Sequence, residues 1–436
     1  MSFWSRLFAA KPAAAGPAPA PIAAAPAAAP ASATPAPTFG ARRPLVDAQG
    51  AVAGFEFRLA PATQRRLQGA GEGPAAAAHA IALLAAMRST LAAGRIALGE
   101  LPAALLARSA VAEQVPDGAW IVVQGAFEPG DSLAGALSSW RTRGVKLGAA
   151  DGAPQPPGAS FVVLRAADGN LAGVLAALER CAQAQPTFAR VVLDLPGVEA
   201  IEQALERGAA LVAGRVGAGD GALAQRRIVQ PATQRLVQLL NDVVADRDTA
   251  QIGAALRADI ALSYRLLRFV NSPAVGLAQP VESVEQAVMV LGRAELYRWL
   301  SVLLTASGSG RKASRALQEV ALARARLLEL LAPAAAAPPA ALFTVGLLSM
   351  LDALLQVPLA EALAPLQIAE PAREAIVGQR GPWWPLLQLA CAVERHDLAQ
   401  AEPLAAAHGG LDAVLAQAEA AWAWSAELAR AQVAGA

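Results

Sequence analysis

The sequence changes its period near residue 228. Up to about Gly221, short apolar runs rich in β-branched residues alternate with longer helix-like stretches. From Ile228 onward the strand signal disappears and the apolar residues fall at helical spacing. One layer architecture cannot satisfy both patterns. The first part must close a sheet against helices, and the second must bury its stripes helix against helix. The expected fold is therefore α/β followed by all-α, with a parallel sheet or (β/α) barrel in the first part.

The first part opens with PLVDAQGAVAGFEFRLA, Pro44 to Ala60. This reads as a strand, a turn from Asp47 to Gly50, and a second strand with Phe55 and Phe57 on one face. RIALGEL, WIVVQGAF, VKLGAA, SFVVLRA and ARVVLDLP supply further strands. SLAGALSSWRTRG is a helix that stops at Gly144. In the second part, Leu236, Leu239, Leu240, Val243 and Val244 form one helical stripe. Asp259 is placed to cap the helix that follows it, and Ser283 with Gln286 has the spacing of a capping box. That helix is expected to stop at Gly292.

Composition excludes several functions. Lys plus Arg is 36 and Asp plus Glu is 35, so no nucleic-acid footprint and no basic membrane patch is expected. Cys181 and Cys391 lie far apart without further ligands at metal spacing, which fits a reduced, cytoplasmic protein. Only His79, His396 and His408 are available for general acid–base or metal chemistry. Residues 12–37 are almost entirely Pro and Ala, so residues 1–41 are expected to be disordered. Within them, Phe3, Trp4, Leu7 and Phe8 have helical spacing, readable as a docking helix or as a frayed end. Leu330 to Leu351 is uncharged and long enough to span a membrane. Its three prolines point instead to a loop and a buried helix from about Leu342, so no membrane span is expected.

Leu266 to Ala306, LLRFVNSPAVGLAQPVESVEQAVMVLGRAELYRWLSVLLTA, resembles the HDOD domain of bacterial signalling proteins. Asn271, Ser272, Pro273, Gly276, Ser283 and Gly292 carry the signature. Physically these are structural residues: Asn271 and Ser272 can end a helix on local backbone groups, and Pro273 blocks its continuation. The resemblance implies a helical relative of HD phosphohydrolases, which hold metals with a His-Asp pair on a helix. Ser349 and Met350 stand where that pair belongs, leaving only Asp352 nearby. His396-Asp397, the one His-Asp dipeptide, lies more than forty residues further on and reads as a solvated helix end.

The first part resembles a degenerate EAL phosphodiesterase domain. This implies a (β/α) barrel whose active relatives cleave cyclic di-GMP with metals held by carboxylates and an Asn. Glu56 takes the position of the motif Glu. Gly99, Gln124, Ala150 with Asp151, Val163, Arg165, Asp194, Gly197 and Ala213 fall at or near the other polar positions. Glu56, Asp151 and Asp194 are what survives.

The implied organisation is residues 1–41, an EAL-like domain over 42–222 and an HDOD domain over 223–436. The expected function is a non-enzymatic, cytoplasmic regulatory protein with no cofactor or metal that acts through unidentified signalling proteins, with homo-oligomerisation left open. The alternative is a cyclic di-GMP sensor without hydrolysis, with Arg58, Arg165 and Arg215 as candidate phosphate contacts. An active phosphodiesterase is the third reading. Trp383 and Trp384 read either as core anchors or as a partner-binding spot. Trp422 and Trp424, two apart on a helix, should diverge so that one is exposed or reaches another subunit.

Overall fold

The computed structural model describes residues 39–59, 73–125, 131–166, 170–216, 230–272, 277, 279–307, 310–335 and 337–433. The N-terminal Pro/Ala segment, Pro273 and Gly276 lie outside them. The described chain groups into two compact units, one within residues 230–304 and the other within residues 37–229 and 305–436.

The larger unit contains the barrel that the EAL resemblance implied. Strands β1 (Phe39–Asp47), β2 (Val52–Leu59), β3 (Ile96–Pro102), β4 (Trp120–Gln124), β5 (Lys146–Ala150), β6 (Phe161–Arg165), β7 (Ala189–Leu195) and β8 (Leu211–Gly214) close in sequence order. Strands β2 to β8 run parallel, and β1 closes the ring antiparallel to both β2 and β8. The first strand begins at Phe39, three residues ahead of the expected onset near Arg42. The crossover helices include α1 (Pro74–Ala92), α2 (Asp131–Thr142), α3 (Leu171–Ala184) and α4 (Val198–Glu206).

Alternation fixes what fills the ring, because successive side chains on a strand point to opposite faces. Leu98, Trp120, Val122, Phe161, Val163 and Leu193 project inward and form a buried apolar plug. The Trp120 and Phe161 rings tilt against each other with centroids 5.1 Å apart. Among the described residues, α1 is the one helix long and apolar enough to cross a membrane. Leu83, Leu84 and Met87 on it are fully buried within the unit.

The β1–β2 turn shows why this sequence makes a hairpin. The Asp47 carboxylate accepts the N–H groups of Gln49 and Ala51 at 2.9 and 3.0 Å. Gly50 then turns the chain at φ 72°. A side chain there would also meet the Lys312 carbonyl oxygen at 1.5 Å. The Gly50 carbonyl accepts the Ala316 N–H at 2.9 Å, so the hairpin is bonded directly to the C-terminal helices.

Those helices are α9 (Ser314–Leu331), α10 (Pro339–Leu348), α11 (Leu351–Leu355), α12 (Leu359–Leu363), α13 (Glu370–Ile376), α14 (Trp384–Glu394), α15 (Leu398–Ala405) and α16 (Leu411–Val433), numbered after the four helices of the smaller unit, α5 (Pro231–Val244), α6 (Thr249–Arg257), α7 (Ile260–Val270) and α8 (Val284–Ala306). The uncharged stretch from Leu330 is the end of α9, a 3-10 turn and the buried α10, which starts at Pro339 rather than near Leu342. Ion pairs join barrel and helices: Arg311 to Glu199 and Glu202 at 2.8 and 3.1 Å, and Arg95 to Glu319 at 2.8 Å. Trp422 packs edge-on against Phe55 of β2 at 5.1 Å, and Trp424 against Phe343 of α10 at 6.1 Å. Both tryptophans are buried, contrary to the expectation that one would be exposed. They do diverge, but α16 is covered on two sides, so each meets a different neighbour.

The smaller unit comprises α5 (Pro231–Val244), α6 (Thr249–Arg257), α7 (Ile260–Val270) and α8 (Val284–Ala306). Asp259 caps α7 by accepting the Leu262 N–H at 3.1 Å. The Ser283 hydroxyl accepts the Gln286 N–H at 3.2 Å, and the Gln286 side chain reaches back to the Glu282 N–H. Gly292 interrupts α8 at φ 71°, which is why the helical pattern stops there.

Replacing Gly50 with Ala should destabilise the protein by at least about 1–2 kcal/mol, the cost of a left-handed L-residue, with the Lys312 clash added. Urea unfolding of the full chain measures it; unchanged stability would contradict this account of the turn.

Candidate functional site

The C-terminal ends of the parallel strands surround a layer of charge. The inward register that carries Leu45 and Leu98 also carries Arg43 on β1, Glu56 and Arg58 on β2, Glu100 on β3 and Arg165 on β6. Asp194 joins them by a different route. The pairing of β7 with β8 slips between Val192 and Leu195, and Asp194 sits at φ 65°. This conformation costs an L-residue roughly 1–2 kcal/mol, and here it re-aims a carboxylate into the barrel mouth.

The six groups satisfy one another. Glu56 Oε2 accepts from Arg43 at 2.8 and 2.5 Å, and its Oε1 accepts from Arg58 at 2.7 Å. Asp194 Oδ1 meets Arg43 and Arg58, each at 2.8 Å, while Oδ2 accepts from Arg165 at 2.9 Å. The other arm of Arg165 donates to Glu100 at 2.6 Å. Arg165 also lies 3.8 Å from Glu56. The Glu56 side chain is only 4% exposed and that of Arg43 8%. Burial alone would raise the Glu56 carboxyl, but Arg43, Arg58 and Arg165 outweigh it and hold it below its ordinary value. Asp194 is affected the same way: burial opposes ionisation, and Arg43, Arg58 and Arg165 drive its carboxyl far down.

This geometry sorts the residues singled out in the sequence. Glu56, Arg58, Arg165 and Asp194 come together. Asp151 does not: it lies outside the ring, where its carboxylate accepts from Cys181 on α3 at 3.5 Å. Gly99 faces α1, where an added side chain would meet the Met87 sulfur at 3.0 Å. The acidic group at the mouth end of β3 is its neighbour, Glu100. Val163 and Ala213 belong to the apolar plug. Arg215 lies outside the ionic layer; it follows β8, is exposed, and lines a cavity formed with the C-terminal helices. Arg43 and Glu100 were missed. The alternation of β1 and β3 was the available signal, since both share the inward register with Leu45 and Leu98.

The mouth does not suit a divalent cation. The Glu56 and Asp194 oxygens are each already engaged by a guanidinium, and three fixed positive charges crowd the place where an ion would bind. Among the described residues, no group of three or more His, Cys, Asp or Glu is arranged to hold a metal.

A second buried charged cluster lies where Ser349 follows α10. Arg324 of α9, buried to 3% side-chain exposure, donates to the Ser349 hydroxyl at 2.9 Å and to both Glu394 oxygens at 2.8 and 2.6 Å. Met350 is fully buried. Glu394 is therefore an internal partner, not part of the solvated helix end expected around His396-Asp397. His396 occupies a left-handed turn at φ 62° and is itself buried, while Asp397 caps α15 through the Gln400 N–H at 3.1 Å.

In the smaller unit the role of Asn271 differs from the expected local bond. Its amide donates to the Val281 carbonyl at 2.8 Å and accepts the Val281 N–H at 2.7 Å. It pins the chain that leads into α8 across ten residues, because one side-chain amide can replace a peptide partner on both sides. Ser272 is half-buried and its N–H bonds the Phe269 carbonyl. Trp383 and Trp384 are half-buried, so neither is a fully enclosed core anchor, and Trp384 lines the same cavity as Arg215.

Residues 229–374 match the HDOD domain family. This segment is an HDOD domain. It takes in the whole smaller unit and continues through α9 to α13 of the larger one. The uncharacterized protein YuxH of Bacillus subtilis is 34% identical over 122 residues, 27% of this chain and 30% of its own length. The cyclic di-GMP phosphodiesterase CdgJ of Vibrio cholerae is 34% identical over 134 residues, 30% of this chain and 31% of its own length. The matches thus span less than a third of either relative. Among solved structures, an EAL domain protein of Listeria monocytogenes matches 40% of this chain and 85% of its own at 15% identity and TM-score 0.30. BlrP1 of Klebsiella pneumoniae matches 43% of this chain and 56% of its own at 16% identity and TM-score 0.33.

Glu56→Ala should cost about 3–5 kcal/mol, because it strips the buried Arg43 guanidinium of its closest carboxylate. Equilibrium unfolding in urea tests this, and a near-neutral result would mean the layer is not an interdependent network. Acid should act in the same direction. The Glu56 and Asp194 carboxyls are depressed in the folded state, so their contribution is fully present above the ordinary carboxylate range, about pH 4. It is lost as pH falls below that toward their native values. Asp194→Asn should flatten the acid limb of a stability–pH curve; an unchanged limb would refute the assignment.

Proposed function

We propose that this chain is a non-catalytic regulatory protein that works in cyclic di-GMP-related bacterial signalling through protein partners. The observation that carries the reading is the ionic layer at the barrel mouth. A metal-dependent phosphodiesterase needs carboxylates free to hold ions and orient water. Here Glu56 and Asp194 are instead neutralised by Arg43, Arg58 and Arg165. Arg324 beside Ser349 supports the same conclusion for the HD-like position, since a buried permanent cation opposes metal binding there.

The partner side of the reading rests on the smaller unit. Ile260, Tyr264, Met289 and Val290 are 86, 63, 66 and 50% exposed. Large apolar side chains presented on one small helical unit are what a partner-binding surface requires. The link to cyclic di-GMP comes from the name of the relative CdgJ and from the EAL resemblance of the barrel.

Cyclic di-GMP sensing without hydrolysis is the weaker reading. Two of its three candidate arginines, Arg58 and Arg165, are committed to carboxylates, and the third, Arg215, lies outside the layer.

Incubating the full chain with cyclic di-GMP and magnesium or manganese should give hydrolysis no faster than buffer. Turnover that disappears in Glu56→Ala would overturn the non-catalytic reading. Calorimetry with cyclic di-GMP should show no saturable heat at high micromolar ligand; a saturable isotherm abolished by Arg165→Ala would favour the sensor.

A further inference from the structure

The larger unit holds a cavity of about 370 Å³ that the proposed regulatory role does not use. The chain after β8 forms one wall, α9 and the turn after α10 form another, and α14 forms the third. Its volume lies toward the lower end of the ~300–1,000 Å³ usual for small-molecule sites.

The lining has a definite chemistry. Trp384, Leu387, Gln388 and Cys391 follow helical spacing along one face of α14, and Arg395, at its C-terminal cap, continues the stripe that faces the space. Trp384 is half-buried at the start of that stripe. The charged side chains that line the cavity are Arg215, Arg324, Arg395 and Glu394. Glu394 is spent on Arg324 through two hydrogen bonds, and Arg324 is further anchored by Ser349. Among the described residues, Arg395 donates to the neutral Gln400 amide, at 2.9 Å, and is exposed along with Arg215. Among the described residues, the cavity therefore offers two guanidiniums without a carboxylate partner, a half-buried indole, and the amides of Gln379 and Gln388.

Guanidinium forks match phosphate oxygens, indole faces stack planar rings, and side-chain amides pair with the donors and acceptors on a base edge. We propose that this cavity binds a mononucleotide, with its phosphate on Arg215 and Arg395 and its base against Trp384 and the glutamines. The size suits one nucleotide rather than a dinucleotide. The proposal is separate from the barrel mouth and does not depend on whether the barrel is catalytic.

The test titrates the full chain with each of the four ribonucleoside 5′-monophosphates, following tryptophan fluorescence and calorimetric heat. Inorganic phosphate and the free nucleosides serve as controls. At least one monophosphate should bind saturably and better than its nucleoside. Arg395→Glu and Arg215→Glu, both at exposed positions, should each weaken it by about tenfold to a hundredfold, the scale of a lost hydrogen bond to a charged group. Trp384→Ala should remove the fluorescence change while calorimetry still reports weakened binding. No saturable binding of any monophosphate up to about 1 mM would overturn the proposal. Binding that both arginine variants leave unchanged, or that phosphate alone reproduces in full, would overturn it equally.

Discussion

A layer of six charged side chains, buried at Arg43 and Glu56 and partly buried at the other four, sits at the mouth of a closed barrel, and it persists because every charge faces an opposite one. Glu56, Glu100 and Asp194 balance Arg43, Arg58 and Arg165, with the shortest contact between the two most enclosed members, Arg43 and Glu56. Removing ions from water costs several kcal/mol each, so such a layer is tolerated only when geometry and hydrogen bonds are complete. The rest of the mouth follows from this. The slip in β7 and the left-handed Asp194 place a second carboxylate, beside Glu56, that pairs with all three arginines. Below it, the apolar plug excludes water and strengthens each pair.

The same logic recurs at the HD-like position. Arg324 enters a buried site with Glu394 on one side and Ser349 on the other. In both places a guanidinium occupies ground where the family resemblances imply metal chemistry. A guanidinium supplies positive charge to nearby oxygens in a fixed planar array, but it has no open coordination position for water.

Helices α9 to α13 lie within the HDOD match, up to residue 374, yet belong to the barrel's unit. The Gly50 turn, the Arg311 pairs with α4 and the Phe55–Trp422 contact tie residues beyond 305 to strands and helices of the first 210 residues. The sequence read in order divides between about residues 222 and 228, where its period changes. In space the larger unit is built from both sides of the 230–304 segment. Periodicity reports which local structure a segment adopts; it carries no information about which distant segment covers its apolar face.

The amino-acid sequence alone determined what depends on neighbours a few residues away. The hairpin turn at Asp47 to Gly50, the caps at Asp259 and Ser283, the break at Gly292 and the change from alternating strands to helices are all local, and all were legible. Only the tertiary structure decided which side chains meet. It turned Gly99 and Asp151 away from the mouth, put Glu100 and Arg43 into it, gave Asn271 a partner ten residues on, and buried both Trp422 and Trp424. The physical reason is register. In a barrel, a one-residue offset moves a side chain from the ring's interior to its helix-covered face, and a bulge such as that at Asp194 shifts the count without any mark in the local pattern.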